Sequence, residues 1–389
     1  MLNALTITIA GLILVLSGCA ATPKVPVAML PAAVLWHDVA FDYDPSSVSI
    51  SKADLFALDP ELVASLGASD IKVASFKERT EYLATLLFGP ERKSFPYAGG
   101  QSTIGAVTWR TKRGDCLSLS VLAYSLAREL NLPAQLQEVS VQPFYDRHGG
   151  VDFVEGHVNV LIKTGVRPYV FDHEISTDFM VIDFEPRVGR MREGIALSEA
   201  NVLARYYNNI AAEHFAKNDL RLAYAWFKAA ILADQTYSSS YSNLAQLYKR
   251  AGFTDGAERL LQHALALNSE DRTAPYSLQL LLTAQGRETE AAQYARIVQA
   301  RRERSPYYWI GLGMDYLRSA QYGSAVRALE RAESLAAGFD EVHRNLAIAY
   351  WYNGDKPNAK KQLDMLASLI MPDKVDAGFT ALSRKIGKM

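Results

Sequence analysis

The sequence predicts an α+β domain followed by an all-α superhelix of paired helices. Three observations predict it. From about Leu203 the chain repeats itself every 34 residues. Within residues 134–184, short runs alternate apolar and polar residues at strand period. Upstream of these runs, apolar residues at 119, 122, 123, 126 and 130 follow helical spacing, and so does the stretch 80–88.

Length and composition fit this architecture. The chain has 389 residues, of which 49% are hydrophobic and 21% charged, so it can bury substantial cores. Disordered and collagen-like chains are excluded. The formal net charge of −1 argues against a nucleic-acid partner, which needs a basic footprint. Two cysteines, Cys19 and Cys116, exclude a disulfide framework.

The chain opens with an apolar run over residues 4–16, preceded by no Lys or Arg, and then Ser17-Gly18-Cys19. The run is too short to span a hydrocarbon core of ~30 Å and has the form of a secretory h-region before small residues. Leu16-Ser17-Gly18-Cys19 resembles the bacterial lipobox, which implies lipidation of Cys19. Ala20, where an Asp would signal inner-membrane retention, implies an anchor on the periplasmic face of the outer membrane. The organisation expected is a signal peptide at 1–18, a tether at 19–35, the α+β domain at 36–200, five repeats at 204–373 and a C-terminal capping segment at 374–389.

In the repeats, small residues recur at Ala223, Ala257, Ala291, Ala325 and Ala359. Upstream at one offset stand Ala211, Ala245, Gln279, Gly313 and Ala347, and three positions after these stand His214, Tyr248, Leu282, Tyr316 and Tyr350. Asn218, Gly252, Gly286 and Gly354 mark the turns between paired helices, with Ala320 in the fourth unit. Small residues let two antiparallel helices approach closely, while aromatic residues and leucines fill the remaining gap. The pattern resembles the tetratricopeptide repeat. Stacked repeats form a concave face lined by the first helix of each pair. Tyr276, Tyr307, Met314 and Trp351 fall on that face and are the candidate partner-binding residues. They read either as a groove for a protein partner or as packing against the N-terminal domain.

The chemistry-bearing residues lie in the middle. Arg113-Gly114-Asp115-Cys116 precedes an amphipathic helix that Asn131-Leu132-Pro133 ends, so Cys116 sits at a helix start. There the unsatisfied N–H groups and the macrodipole favour a thiolate, and the same groups could hold an oxyanion. His157 opens an expected strand at 157–162. Further strands are expected at 169–172 and 179–184, carrying Asp172 and Asp183.

This order resembles the transglutaminase-like domain of the papain-like cysteine enzymes, on Arg113-Gly114-Asp115-Cys116-Leu117-Ser118 and Gly156-His157-Val158-Asn159-Val160. The resemblance implies a triad of Cys116, His157 and Asp183, with Asp172 as the alternative carboxylate. It also implies acyl transfer on peptide or protein amide bonds, as in a peptidase, amidase or transglutaminase, with no cofactor. The alternative is a non-catalytic, lipid-anchored scaffold for protein–protein interaction. A metal site built from Asp146, His148, Asp152, Glu155 and His157, on what reads as a mobile loop, has no spacing that matches a ligand motif; no metal is expected.

Overall fold

The computed structural model describes residues 27–89, 95–96, 98, 102–148, 151–163, 179–184, 194–271, 273–369 and 377–386. Cys19 and Asp172 lie outside these, as does the expected strand at 169–172. Among the described residues, no helix is long and apolar enough to cross a membrane.

The N-terminal part opens with four helices: α1 (Ala32–Leu35), α2 (Lys52–Phe56), α3 (Pro60–Gly67) and α4 (Phe76–Phe88). Ser75 and Glu78 form a reciprocal capping box that starts α4 four residues before the expected helix at 80–88. Two helices follow, α5 (Gly105–Thr111) and α6 (Cys116–Glu129), and then the strands β1 (Ala134–His148), β2 (Val151–Lys163), β3 (Phe179–Ile182) and β4 (Ile195–Ala196). The strands form one antiparallel sheet in the order β3-β2-β1-β4.

Two sequence expectations are corrected here. Residues 144–156 read as a loop, but β1 runs on to His148 and β2 begins at Val151, and the two pair antiparallel there. Phe144 pairs with Glu155 and His148 with Val151, beyond a register shift between Val139 and Phe144. A ladder of backbone hydrogen bonds needs no burial pattern in the side chains, so polarity there misled. His157 therefore lies within β2 rather than at its start. Residues 32–35, part of the expected tether, form α1 and bury Val34 and Leu35.

Helix α6 lies against the sheet. Leu119, Val121, Leu122, Ala123, Leu126 and Leu130 are fully buried, beside Leu136, Val158, Val160 and Ile162 of the strands. Asn131 ends the helix in the left-handed conformation, at φ 54°, which asparagine tolerates better than most residues.

The C-terminal half is an all-α array of paired helices. Five helix pairs follow one another: α7 (Glu199–Ala216) with α8 (Leu220–Ala233), α9 (Ser238–Arg250) with α10 (Thr254–Leu267), α11 (Ala274–Ala284) with α12 (Glu288–Glu303), α13 (Pro306–Arg318) with α14 (Tyr322–Leu335), and α15 (Asp340–Tyr352) with α16 (Lys356–Leu369). α17 (Ala377–Ile386) closes the chain and buries Ile386. At each turn between paired helices one residue takes positive φ: Asn218, Gly252, Gly286, Ala320 and Gly354. The recurring alanines at 223, 257, 291, 325 and 359 are all buried. Gly313 shows why the facing position is small: a Cβ there would meet the Leu329 side chain at 2.5 Å.

The N-terminal segment is seated on the first two repeats. Lys228 pairs with Asp38 at 2.7 Å, Tyr224 also donates to Asp38, and Tyr248 donates to the Leu35 carbonyl at 2.6 Å. His37 stacks on Phe253 with ring centroids 4.3 Å apart. One apolar core runs from Leu35 through the sheet domain to Ala291 of α12, and a second spans Ile310 to Ile386.

Candidate active site

Cys116 is the first residue of α6 and is a buried thiol. The preceding Asp115 caps the helix. Its carboxylate accepts from the Ser118 backbone N–H at 2.7 Å and the Ser118 hydroxyl at 2.5 Å, and the Ser102 hydroxyl donates to its other oxygen at 2.5 Å. Asp115 is 2% exposed. Burial pushes its pKa above the usual carboxylate range, while the hydrogen bonds from Ser102 and Ser118 pull the other way. Gly114 permits this tight entry, because a Cβ there would meet the Ser118 side chain at 2.9 Å.

His157 and Asp183 meet. The His157 Nε2 lies 2.7 Å from Asp183 Oδ2, with side chains 4% and 11% exposed. The same oxygen accepts from Asn159 Nδ2 at 2.9 Å. A chain of donors fixes the orientation of each group. The Gly194 N–H donates to Gln137 Oε1 at 2.8 Å, the Gln137 amide to Asn159 Oδ1 at 2.8 Å, and the Asn159 amide to Asp183. With Asp183 as acceptor, a neutral His157 carries its proton on Nε2 and is basic at Nδ1. Gly194 comes so near β1 that a Cβ would fall 2.3 Å from the Glu138 carbonyl oxygen.

Helix α6 and strand β2 are joined beside these residues. Ser120, one turn beyond Cys116, donates to the carbonyl of Val158, the neighbour of His157, at 2.8 Å. The thiol's turn of helix and the imidazole's strand are thus tied across one packed contact.

Arg205 of α7 brings a buried cation to the same region. It donates to Glu138 at 2.8 Å and to Asn201 at 2.8 Å, and lies over the Tyr237 ring at 4.8 Å. Burial opposes its charge, but Tyr237, Glu138 and Cys116 together hold its pKa above the ordinary value.

Sequence reasoning missed Gln137, Asn159, Gly194, Ser102 and Arg205. For Asn159 a signal existed: residues two apart on a strand share a face, so Asn159 stands beside His157. Of the candidate partner-binding residues, Tyr276 and Tyr307 are 47% and 42% exposed, while Met314 and Trp351 pack partly against the second core. Tyr307 also lies against Phe339, with centroids 5.6 Å apart. Among the described residues no group of three or more His, Cys, Asp or Glu is placed to hold a metal ion. The side chains of Asp146, His148, Asp152 and Glu155 lie outside the described ones.

No family model matches the chain, and no curated protein matches it. Solved structures resemble part of it. MamA from Desulfovibrio magneticus RS-1, from its residue 41 onward, is 17% identical over 43% of this chain and 94% of that one, with a TM-score of 0.25. YrrB, described as a TPR protein with an unusual peptide-binding site, is 19% identical over 48% of this chain and 92% of its own, also at 0.25. PilF of Pseudomonas aeruginosa is 17% identical over 49% and 86%, at 0.28. At such scores the likeness assigns the chain to no family; the repeat assignment rests on the helix pairs and their turns.

Proposed function

We propose that the chain is a protein-interaction scaffold that carries a cysteine acyl-transfer centre on its sheet domain. Cys116 is the nucleophile, His157 the general base and acid, and Asp183 the carboxylate that holds the imidazole. One observation carries this reading: His157, hydrogen-bonded to Asp183, stands on the strand that α6 grips one turn beyond Cys116. The transglutaminase-like reading of residues 36–200 draws support from the same order, with the cysteine at a helix start, the His on β2 and the Asp just past the end of its antiparallel neighbour β3.

The chemistry follows from the groups. The Cys116 thiolate bonds to the carbonyl carbon of an amide while N–H groups at the start of α6 face the developing oxyanion. His157 delivers a proton to the leaving nitrogen as the C–N bond breaks, giving a thioester on Cys116 and a free amine. Water then attacks the thioester carbon, His157 accepts its proton, and the C–S bond breaks to regenerate the thiol. An amine in place of water gives transamidation; the abundance of water favours hydrolysis. Substrates of this class are peptide or protein amides.

The repeats serve recruitment. Tyr276, Leu280 and Tyr307 expose large apolar side chains on first helices of the pairs, which suits an apolar segment of a protein partner. The same surface favours the second reading, a scaffold without catalysis. Cys19, if acylated, places both on the periplasmic face of the outer membrane, which mass spectrometry of the mature N-terminus tests.

Labelling with a peptidyl chloromethyl ketone tests the enzyme reading. Stoichiometric labelling of Cys116 that is lost in His157→Ala supports it. Labelling at no more than the rate of a small-molecule thiol leaves the scaffold alone. Substituting Tyr276→Ala and Leu280→Ala together, at exposed positions outside both cores, should weaken partner capture while changing the melting temperature little.

A further inference from the structure

We propose that the first repeat helix, through Asn209 and Glu213, is a positioning element for Cys116. The proposal rests on the reading of Cys116 as nucleophile, and it concerns how the repeat array acts on the site.

The hydrogen bonds run without a gap from α7 to Asp115, the cap residue next to Cys116. Asn209 Nδ2 donates to the Ser102 hydroxyl oxygen at 3.0 Å, and Glu213 accepts from the Ser102 backbone N–H at 3.2 Å. Ser102, gripped from both sides, turns its own hydroxyl proton to Asp115 at 2.5 Å. Thr103, the next residue, donates its N–H to the Ser118 hydroxyl oxygen at 2.8 Å, and that hydroxyl in turn donates to Asp115. Each hydroxyl therefore has a defined direction, and all directions converge on the cap carboxylate. A buried network satisfied in this way holds one geometry and resists partial rearrangement. Asn209 and Glu213 lie on one face of α7, one turn apart, 107 and 111 residues from their Ser102 partner. They have no local reason to meet that loop, and their contact fixes the residues that set the first turn of α6.

The consequence is a route from the repeats to the thiol. A partner that shifts α7 moves Ser102 and Thr103, and with them the Asp115 cap and the N–H groups around Cys116. Cys116 reactivity then depends on the seating of the first repeat.

The test is the rate of Cys116 alkylation by iodoacetamide against pH on the full chain, read by mass spectrometry of the Cys116 peptide. Asn209→Ala and Glu213→Ala should move the profile towards higher pH, slowing alkylation at neutral pH by about tenfold for a shift of one unit. Glu213→Gln keeps an acceptor for the Ser102 N–H and should restore the wild-type profile. Unchanged profiles in both alanine variants, with only a lower melting temperature, overturn the proposal and leave α7 as packing. A shift in Glu213→Gln as large as in Glu213→Ala also overturns it, because the charge and not the hydrogen bond would then be acting. Should Glu213→Ala fail to fold, Asn209→Ala, which removes one donor, decides alone. His157→Ala reports separately on the site: a wild-type profile there removes the base from the mechanism, while the Asn209 comparison still decides the role of α7.

Discussion

His157 owes its orientation to a run of amides on neighbouring strands. Gln137 and Asn159 are 1% and 3% exposed, and each spends its donors and acceptors in one direction, ending on Asp183. Replacing Asn159 by leucine keeps the volume but takes from the Gln137 amide its Asn159 acceptor and from Asp183 one of its donors, leaving the bond from His157. Stranding a buried polar group costs about 1–3 kcal/mol, so Asn159→Leu should lower denaturant stability by that order. It should also slow Cys116 alkylation, because the imidazole loses its brace. Cys116 and His157 stood out in the sequence because the chain has only two Cys and seven His, and Asp183 because it follows an apolar run of strand type. The amides did not, because Gln and Asn on a strand read equally as solvent-facing residues. Only the spacing of His157 and Asn159 marked the second as its neighbour.

At the scale of elements, α6 carries the site and its cap decides its geometry. Removing an N-cap acceptor costs typically ~1 kcal/mol and up to ~2. Asp115→Ala should reach the upper end, since it also strands the buried hydroxyls of Ser102 and Ser118. Thermal unfolding measures the loss. Glu213 supplies a pH dependence. Burial raises its pKa in the folded chain, with the nearby Asp115 adding to the rise against the Ser102 N–H and Lys217. Between the ordinary glutamate value of ~4.3 and the raised one, the folded chain holds a proton that the unfolded chain has released. Stability from this group is therefore present at the acid end of that window and falls as pH rises through it. Glu213→Gln should remove that slope, which melting temperatures of both proteins across pH 4–8 would show. Elements were legible where periodicity was strong, as in α6. The pairing of β1 with β2 past Val139 was not, because backbone hydrogen bonds rather than side-chain pattern sustain it.

Over the whole molecule, the two apolar cores divide the repeat array unequally. The first joins the N-terminal segment, the sheet domain and the repeats as far as Ala291; the second holds the last two repeats and α17. Between them, α12 buries only Ala291. The 34-residue period made all five units legible, but not this division: the third unit keeps its small residue at 291 while its second helix carries too few apolar residues to bridge the cores. Nearest-neighbour coupling in a repeat array is then weakest at this junction. Residues 306–386 should unfold at lower denaturant than the rest. Leu346→Ala, at a fully buried position, should cost about 2–5 kcal/mol and move that transition alone. Hydrogen exchange followed by peptide should show the last two repeats opening together while α6 and β2 stay protected; a single global transition would mean the cores are coupled.

We propose that Cys116 and His157 act as one pair held by Asp183. The most direct measurement compares the pH dependence of Cys116 alkylation in wild type and in His157→Ala. A paired thiol should react well below the ordinary thiol midpoint of ~8.5, and the variant should return to that midpoint. A wild-type protein whose Cys116 alkylates with a midpoint near ~8.5, unchanged by His157→Ala, would contradict the claim.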